Sequence, residues 1–153
     1  MTLKARELMN QDPKTVTVDA TVHEVAILLA QKSICAVPVL DEGVLVGIIT
    51  EGDLIDRVKQ VHLPTLINIL DAVIPIGGNH QYEEDLRKVA ACKASEIMTP
   101  TLISVDPESD LTKVATVLGE QHISVVPVVG EGRLLGLIDK SDVIRGMLQS
   151  NDA

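Results

Sequence analysis

Apolar positions along the chain fall into a series of short strands and helices, and a second series repeats the first. Thr15-Val16-Thr17-Val18-Asp19 alternates at the two-residue period of a strand. Val22, Val25, Ala26, Leu28 and Leu29 follow at helical spacing behind Thr21-Val22-His23-Glu24, which has the form of a capping box. β-Branched runs from Ile34 to Leu40 and from Leu45 to Thr50 predict two strands joined by a turn at Gly43, and a helix starts past Thr50. The order returns as Leu102-Ile103-Ser104-Val105-Asp106, then a helix carrying Leu111, Val114, Ala115 and Leu118. Strands over Ile123 to Val129 and Leu134 to Asp139, a turn at Gly130 and Gly132, and a last helix complete it. Each copy reads strand–helix–strand–strand–helix.

The two copies hold a fixed register. Val126-Pro127-Val128 follows Val37-Pro38-Val39 by the same 89 positions that separate Asp142 from Asp53. Gly47-Ile48-Ile49-Thr50-Glu51-Gly52-Asp53-Leu54-Ile55 recurs, altered, as Gly136-Leu137-Ile138-Asp139-Lys140-Ser141-Asp142-Val143-Ile144. Ala5-Arg6-Glu7-Leu8-Met9 opens the first copy, and Ala94-Ser95-Glu96-Ile97-Met98 opens the second. The chain is therefore expected to be one module: a first unit over 1–55, an insert over 56–93 and a second unit over 94–153. Within the insert, Pro64 is placed to open a helix with Leu66, Ile67, Leu70, Val73 and Ile74 on one face, stopped by Pro75, Gly77 and Gly78. A second helix is expected over Tyr82 to Cys92, with Glu83–Arg87 and Glu84–Lys88 spaced for ion pairing. The insert's apolar stripe serves either its own domain or a dimer surface.

Composition narrows the core. With 46% hydrophobic residues, no Trp or Phe and a single Tyr, the 153-residue chain must pack Val, Ile and Leu. No apolar run approaches the ~18 residues that cross a bilayer, and Met1 to Leu8 lacks the apolar stretch of a signal peptide. Two cysteines do not make a disulfide framework, and Cys35 in its apolar run reads as a small core residue. A cytoplasmic protein is the expectation. Net charge is −9, carried by both repeats, while the insert is balanced. That disfavours a phosphate backbone as partner.

Candidate chemistry is sparse. His23, His62, His80 and His122 lie at no metal-ligand spacing, and no Cys-x-x-Cys occurs. Gly77-Gly78 lacks the Lys-Ser/Thr of a P-loop. No carboxylate pair or nucleophile–base set marks a catalytic centre, so no enzyme is expected. His122, just before the strand over Ile123 to Val129, reads as a surface residue; the alternative is a contact with a phosphate. Thr50-x-x-Asp53 reads as a helix cap, and Pro38 and Pro127 read as strand-edge residues, since proline cannot donate to a central ladder. A carboxylate at a strand's carboxyl end also suits a cis-diol, one oxygen for each hydroxyl, and a helix N-terminus beside it attracts phosphate.

Repeated in this order, the apolar-Val-Pro-Val runs, the Gly-apolar-apolar-x-x-x-Asp endings and the opening Met resemble a tandem pair of cystathionine-β-synthase (CBS) domains, a Bateman module of the stand-alone bacterial or archaeal type. The resemblance covers about 110 residues, from the two repeat spans. It implies an α+β fold of two pseudo-two-fold-related units packed through their sheets with helices outside, leaving clefts for adenosine-containing ligands such as AMP, ADP, ATP or S-adenosylmethionine. Asp53 and Asp142 match the family's ribose-binding Asp, and Thr50 matches the Thr/Ser before it. Thr15, Val16, Thr17 and Val18 with Cys35, Ala36, Val37 and Pro38 match one set of purine walls. Ile103, Ser104 and Val105 with Val125, Val126 and Pro127 match the other. Asp139 departs from the pattern: a second carboxylate there repels phosphate unless Lys140 offsets it. The function implied is a ligand-sensing regulatory module, needing no cofactor, that changes the orientation of its units, acts on a separate effector protein and forms a homodimer. The alternative is a structural dimerisation module with degenerate clefts.

Overall fold

A computed structural model describes residues 3–62, 66–69, 72–75, 78–100 and 103–151. In chain order the elements are α1 (Ala5–Leu8), β1 (Val16–Thr17), α2 (Val22–Leu29), β2 (Ala36–Asp41), β3 (Val44–Thr50), α3 (Glu51–His62), β4 (Leu66–Ile69), β5 (Ala72–Pro75), α4 (Gly78–Ala91), α5 (Ala94–Ile97), β6 (Thr99–Pro100), α6 (Leu111–Glu120), β7 (Val125–Gly130), β8 (Arg133–Asp139) and α7 (Lys140–Asn151). The expected strand–helix–strand–strand–helix order is present twice. In the second copy the first strand is reduced to one parallel bridge between Val105 and Val128.

Local chemistry explains the elements. The Thr21 hydroxyl accepts the Glu24 N–H at 3.2 Å and Glu24 accepts the Thr21 N–H at 3.1 Å, the reciprocal capping box that starts α2. Asp110 accepts the Lys113 N–H at 2.8 Å and does half of the same for α6. Both long hairpins turn on a pair of left-handed residues: Glu42 (φ 49°) with Gly43 (φ 83°), and Glu131 (φ 52°) with Gly132 (φ 76°). Two consecutive positive φ angles match the right-handed twist of the flanking strands, and glycine takes the second without steric cost.

The chain forms two compact units: one of Lys14–Asp41 and Val46–Pro100, the other of Met1–Pro13, Glu42–Leu45 and Thr101–Ala153. Packing thus groups the opening segments differently from the order of the repeats. α1 joins the second repeat, where the Ala5 N–H donates to the Ser109 carbonyl at 2.7 Å and Asn10 pairs with Leu137 in both directions, at 2.8 and 3.2 Å. α5 joins the first repeat, where the Ala94 N–H donates to the Ala20 carbonyl at 2.7 Å and Thr99 pairs with Ile48. Each unit has an aliphatic core. Val25, Leu29, Val37, Val39, Ile49 and Ala94 form one. Val114, Leu118, Val126, Val128, Ile138 and Val143, with Ala5 and Leu8 from α1, form the other. Full burial of each Val or Ile is worth roughly 1.5–3 kcal/mol, which is how a chain without Phe or Trp holds its sheets.

The insert departs from expectation. Where a helix was expected, β4 and β5 pair antiparallel, Ile67 opposite Ile74 and Asn68 opposite Val73. Nearly every position from 66 to 75 is apolar, so helical spacing is matched by default. The β-branched content (Ile67, Ile69, Val73 and Ile74) is what decides for strands. Pro75 lies inside β5 and Gly78 opens α4, four positions before the expected start at Tyr82. Pro64, Leu70, Gly77 and Leu102, which carry other expectations, lie outside the described residues.

Candidate functional site

Each candidate carboxylate sits in the first turn of the helix that follows its hairpin. β3 ends at Thr50, and Asp53 in α3 turns back toward it. Asp53 Oδ2 accepts the Thr50 N–H at 2.8 Å and the Thr50 hydroxyl at 3.2 Å. Asp53 Oδ1 accepts the Thr99 hydroxyl at 3.2 Å. Thr99 was not a candidate from sequence. It stands 46 positions away and arrives with β6 beside Ile48, and its counterpart in the first copy is Asn10, so the repeat offers no hydroxyl to compare.

The second copy is built from the same turn with different charges. Asp142 Oδ2 accepts the Asp139 N–H at 2.9 Å, while Asp139 Oδ1 accepts the Asp142 N–H at 2.8 Å and the Ser141 hydroxyl at 2.7 Å. Asp142 Oδ1 is paired with the Arg145 guanidinium, one helical turn on. The expectation gave Lys140 the task of offsetting Asp139. Arg145 is a cation that this expectation passed over: it pairs with Asp142, and its i,i+3 spacing was the signal available in sequence. Burial pushes the Asp142 carboxyl above its ordinary 3.8 and the Asp139 charge pushes the same way, while the Asp139 amide and Arg145 hold it down.

In each unit the candidate strand residues lie on the strands to one side of the one that ends at the carboxylate; Val18, whose N–H donates to the Leu40 carbonyl, is far from that end. Val16 lies opposite Val39 and Thr17 opposite Leu40 in the parallel β1–β2 pair, which sets Thr15 and the start of β2 at the same end as Thr50. In the other unit the Val105 N–H donates to the Pro127 carbonyl and the Val129 N–H to the Val105 carbonyl, both at 3.0 Å, and Val125 lies opposite Asp139. Ile103 and Ser104 therefore run alongside the start of β7. Thr15, Thr17, Cys35 and Ser104 are exposed, and Val16, Val18 and Ile103 are half-buried. Ala36, Pro38 and Pro127 are buried, while Val37 and Val126 are 0% exposed and belong to the two cores, pointing away from any wall.

Two readings change. Cys35 is exposed rather than a core residue, because β2 begins one position later and the strand alternation does not reach it. Pro38 and Pro127 do not stand on edge strands. β2 lies between β1 and β3, and β7 lies between β8 and the Val105 bridge. They are tolerated there because the neighbour is so short: β1 pairs only with Val39 and Leu40, just past Pro38. His122 is exposed and lines, with Lys140, Val143 and Ile144, a cavity of about 300 Å3 between α6 and α7. Among the described residues no group of His, Cys, Asp and Glu is arranged to hold a metal ion, and no helix is long and apolar enough to cross a membrane.

The family model of the CBS domain matches residues 5–60 and 94–149. The chain belongs to the CBS-domain family. Its CBS pair is 26% identical over 145 residues to the Methanocaldococcus jannaschii protein MJ1426, covering 89% of this chain and 86% of that protein. It is 24% identical over 148 residues to the CBS domain-containing protein YhcV of Bacillus subtilis, covering 97% and 88%. Among solved structures, CBSX2 in complex with AMP superposes with a TM-score of 0.72 at 22% identity, over 97% of this chain and 98% of that one. The CBS domain pair of protein MJ0100 in complex with 5′-methylthioadenosine and S-adenosyl-L-methionine does so with a TM-score of 0.72 at 23% identity, over the whole of both chains. These likenesses establish the α+β fold of a CBS pair.

Proposed function

We propose that this CBS pair is a regulatory module that binds an adenosine-containing ligand and passes the binding event to a separate protein. The observation that carries the reading is the repeated carboxylate: Asp53 and Asp142 are each fixed by a backbone N–H three residues earlier, at the end of a sheet lined with apolar strand residues. A carboxylate held in this way presents its remaining lone pairs to a cis-diol without first losing side-chain freedom. Support comes from structures of the same fold that hold AMP, 5′-methylthioadenosine and S-adenosylmethionine. AMP, ADP, ATP and S-adenosylmethionine are the ligands we propose, with Asp53, Thr50 and the strand residues Thr15 to Val18, Ala36 and Pro38 around one, and Asp142, Asp139, Ile103, Ser104 and Pro127 around the other. The module is proposed to act in the cytoplasm as a homodimer, and ligand regulates by favouring one of two conformations of different affinity.

A structural module with degenerate sites is the second reading, favoured at Asp142 because Arg145 already occupies one of its oxygens. Thermal melting with each nucleotide separates the two. A ligand that binds only the folded chain stabilises it by RT ln(1 + [L]/Kd), about 2.7 kcal/mol at a hundredfold excess over Kd. A rise in Tm that Asp53→Ala or Asp142→Ala removes is the expected result. A cooperative transition that no adenosine-containing compound moves would leave the structural reading.

A further inference from the structure

The two helix starts that carry the carboxylates differ in charge. From position 50 to 56, α3 and its cap hold Glu51, Asp53 and Asp56 and no cation. The equivalent span, 139 to 145, holds Asp139 and Asp142 against Lys140 and Arg145. The same turn is thus three charges more negative in the first copy than in the second. The partners differ in the same sense. Asp53 is held by neutral donors, the Thr50 amide and the hydroxyls of Thr50 and Thr99. Asp142 is held by an amide and by a guanidinium that is 64% exposed and so free to swing toward a second anion. Arg57 and Lys59 follow on α3, and among the described residues neither is paired with Asp53. Position 56, the repeat counterpart of Arg145, is an aspartate.

We propose that the two sites divide adenosyl ligands by charge, Asp53 taking a neutral or cationic one and Asp142 a phosphorylated one, with Arg145 as the residue that discriminates. This rests on the adenosyl-binding reading above and adds the ligand class of each site. A diol that engages Asp142 displaces or shares the Arg145 contact, and the released guanidinium then meets the phosphate that the same ligand brings. Arginine suits this exchange because its planar donors fit carboxylate and phosphate alike. At Asp53 the same phosphate meets Glu51 and Asp56, with an aspartate where the second copy has its guanidinium, whereas a sulfonium is attracted. One unit charge about 3 Å away, screened as in bulk water, changes affinity by about tenfold.

The test is calorimetric titration of ATP, S-adenosylmethionine and adenosine into the wild-type chain and into Asp53→Asn, Asp142→Asn, Arg145→Gln, Arg145→Lys and Asp56→Arg. Arg145→Gln should weaken ATP about tenfold and leave S-adenosylmethionine within twofold, while Arg145→Lys keeps most of the ATP affinity. Asp142→Asn should remove ATP and Asp53→Asn should remove S-adenosylmethionine, and Asp56→Arg should let ATP compete at the first site. ATP lost in Asp53→Asn, or ATP affinity indifferent to Arg145→Gln, overturns the division while leaving adenosyl binding intact. Absence of binding by all three compounds to the wild-type chain overturns the underlying reading as well.

Discussion

Asp142 is where one residue's surroundings can be read through pH. Its carboxyl is raised above 3.8 first by burial, then by the charge on Asp139, against the pull of the Asp139 amide and Arg145. An acid whose folded pKa is raised binds its proton more tightly in the native state. Its contribution therefore favours folding below pH 3.8 and is lost as pH rises through the folded value. At neutral pH Asp142 is charged at a cost, which a neutral isostere avoids. Asparagine keeps an oxygen for the Asp139 N–H, and the Arg145 it leaves behind is already largely in water. Asp142→Asn should melt at or above the wild-type Tm at pH 7, with the difference closing as pH falls toward 4. Melting curves across that range check it, and a variant well below wild type at pH 7 would show that the Arg145 pair outweighs burial. Asp53 gives the other residue-scale lesson. Its bond to Thr50 was visible in Thr-x-x-Asp, since capping is local. Its bond to Thr99 was not, because it depends on where a segment 46 positions away is laid down.

At the scale of elements, the opening Met and the strand Gly of each copy turn out to be one device. A methyl group on Gly136 would lie 2.5 Å from the Asn10 carbonyl oxygen and 2.7 Å from Met9 Sδ. On Gly47 it would lie 2.8 Å from Met98 Cγ and 3.0 Å from the Thr99 carbonyl. The bare strand lets the opening segment cross it closely, so glycine here is a matter of space and not of backbone angle. Gly136→Ala should cost about 1–3 kcal/mol, because a backbone carbonyl must move. Gly47→Ala should cost less, since the nearest neighbour is a flexible methionine. Chemical denaturation of the two variants ranks them, and equal losses would contradict the argument. Both residues were legible as repeated, yet their partnership was not, because nothing in the sequence tells which strand the opening segment will cover. The insert failed for the opposite reason. From Leu66 to Pro75 only Asn68 and Asp71 are polar, and two polar positions in ten cannot discriminate a period of 3.6 from one of 2.

For the molecule as a whole, the exchange of α1 and α5 means that neither repeat folds from its own segment alone. Lys4 and Arg6 both reach Glu108, Lys4 Nζ at 2.5 Å, so the start of the chain is clipped to the loop ahead of α6. The partners are half-exposed, and such pairs orient more than they stabilise. The buried Ala5 and Leu8 supply the stability. What the cores leave outside points to the assembly. Ile55 and Val58 on α3 are 64% and 39% exposed, and their repeat counterparts Ile144 and Met147 on α7 are 58% and 53% exposed, with Leu148 beside them at 62%. Apolar residues at i, i+3 and i+4 form a stripe on α7 and at i and i+3 a shorter one on α3, and a stripe carried by both repeats is the sort of surface that a second copy covers. Replacing Ile144 and Met147 with Glu should leave the folded cores untouched, because neither side chain belongs to them. The wild-type chain should sediment as a dimer and the double variant as a monomer with the same circular dichroism. A wild-type chain that is monomeric at every concentration would sink the homodimer and leave these stripes to the effector protein.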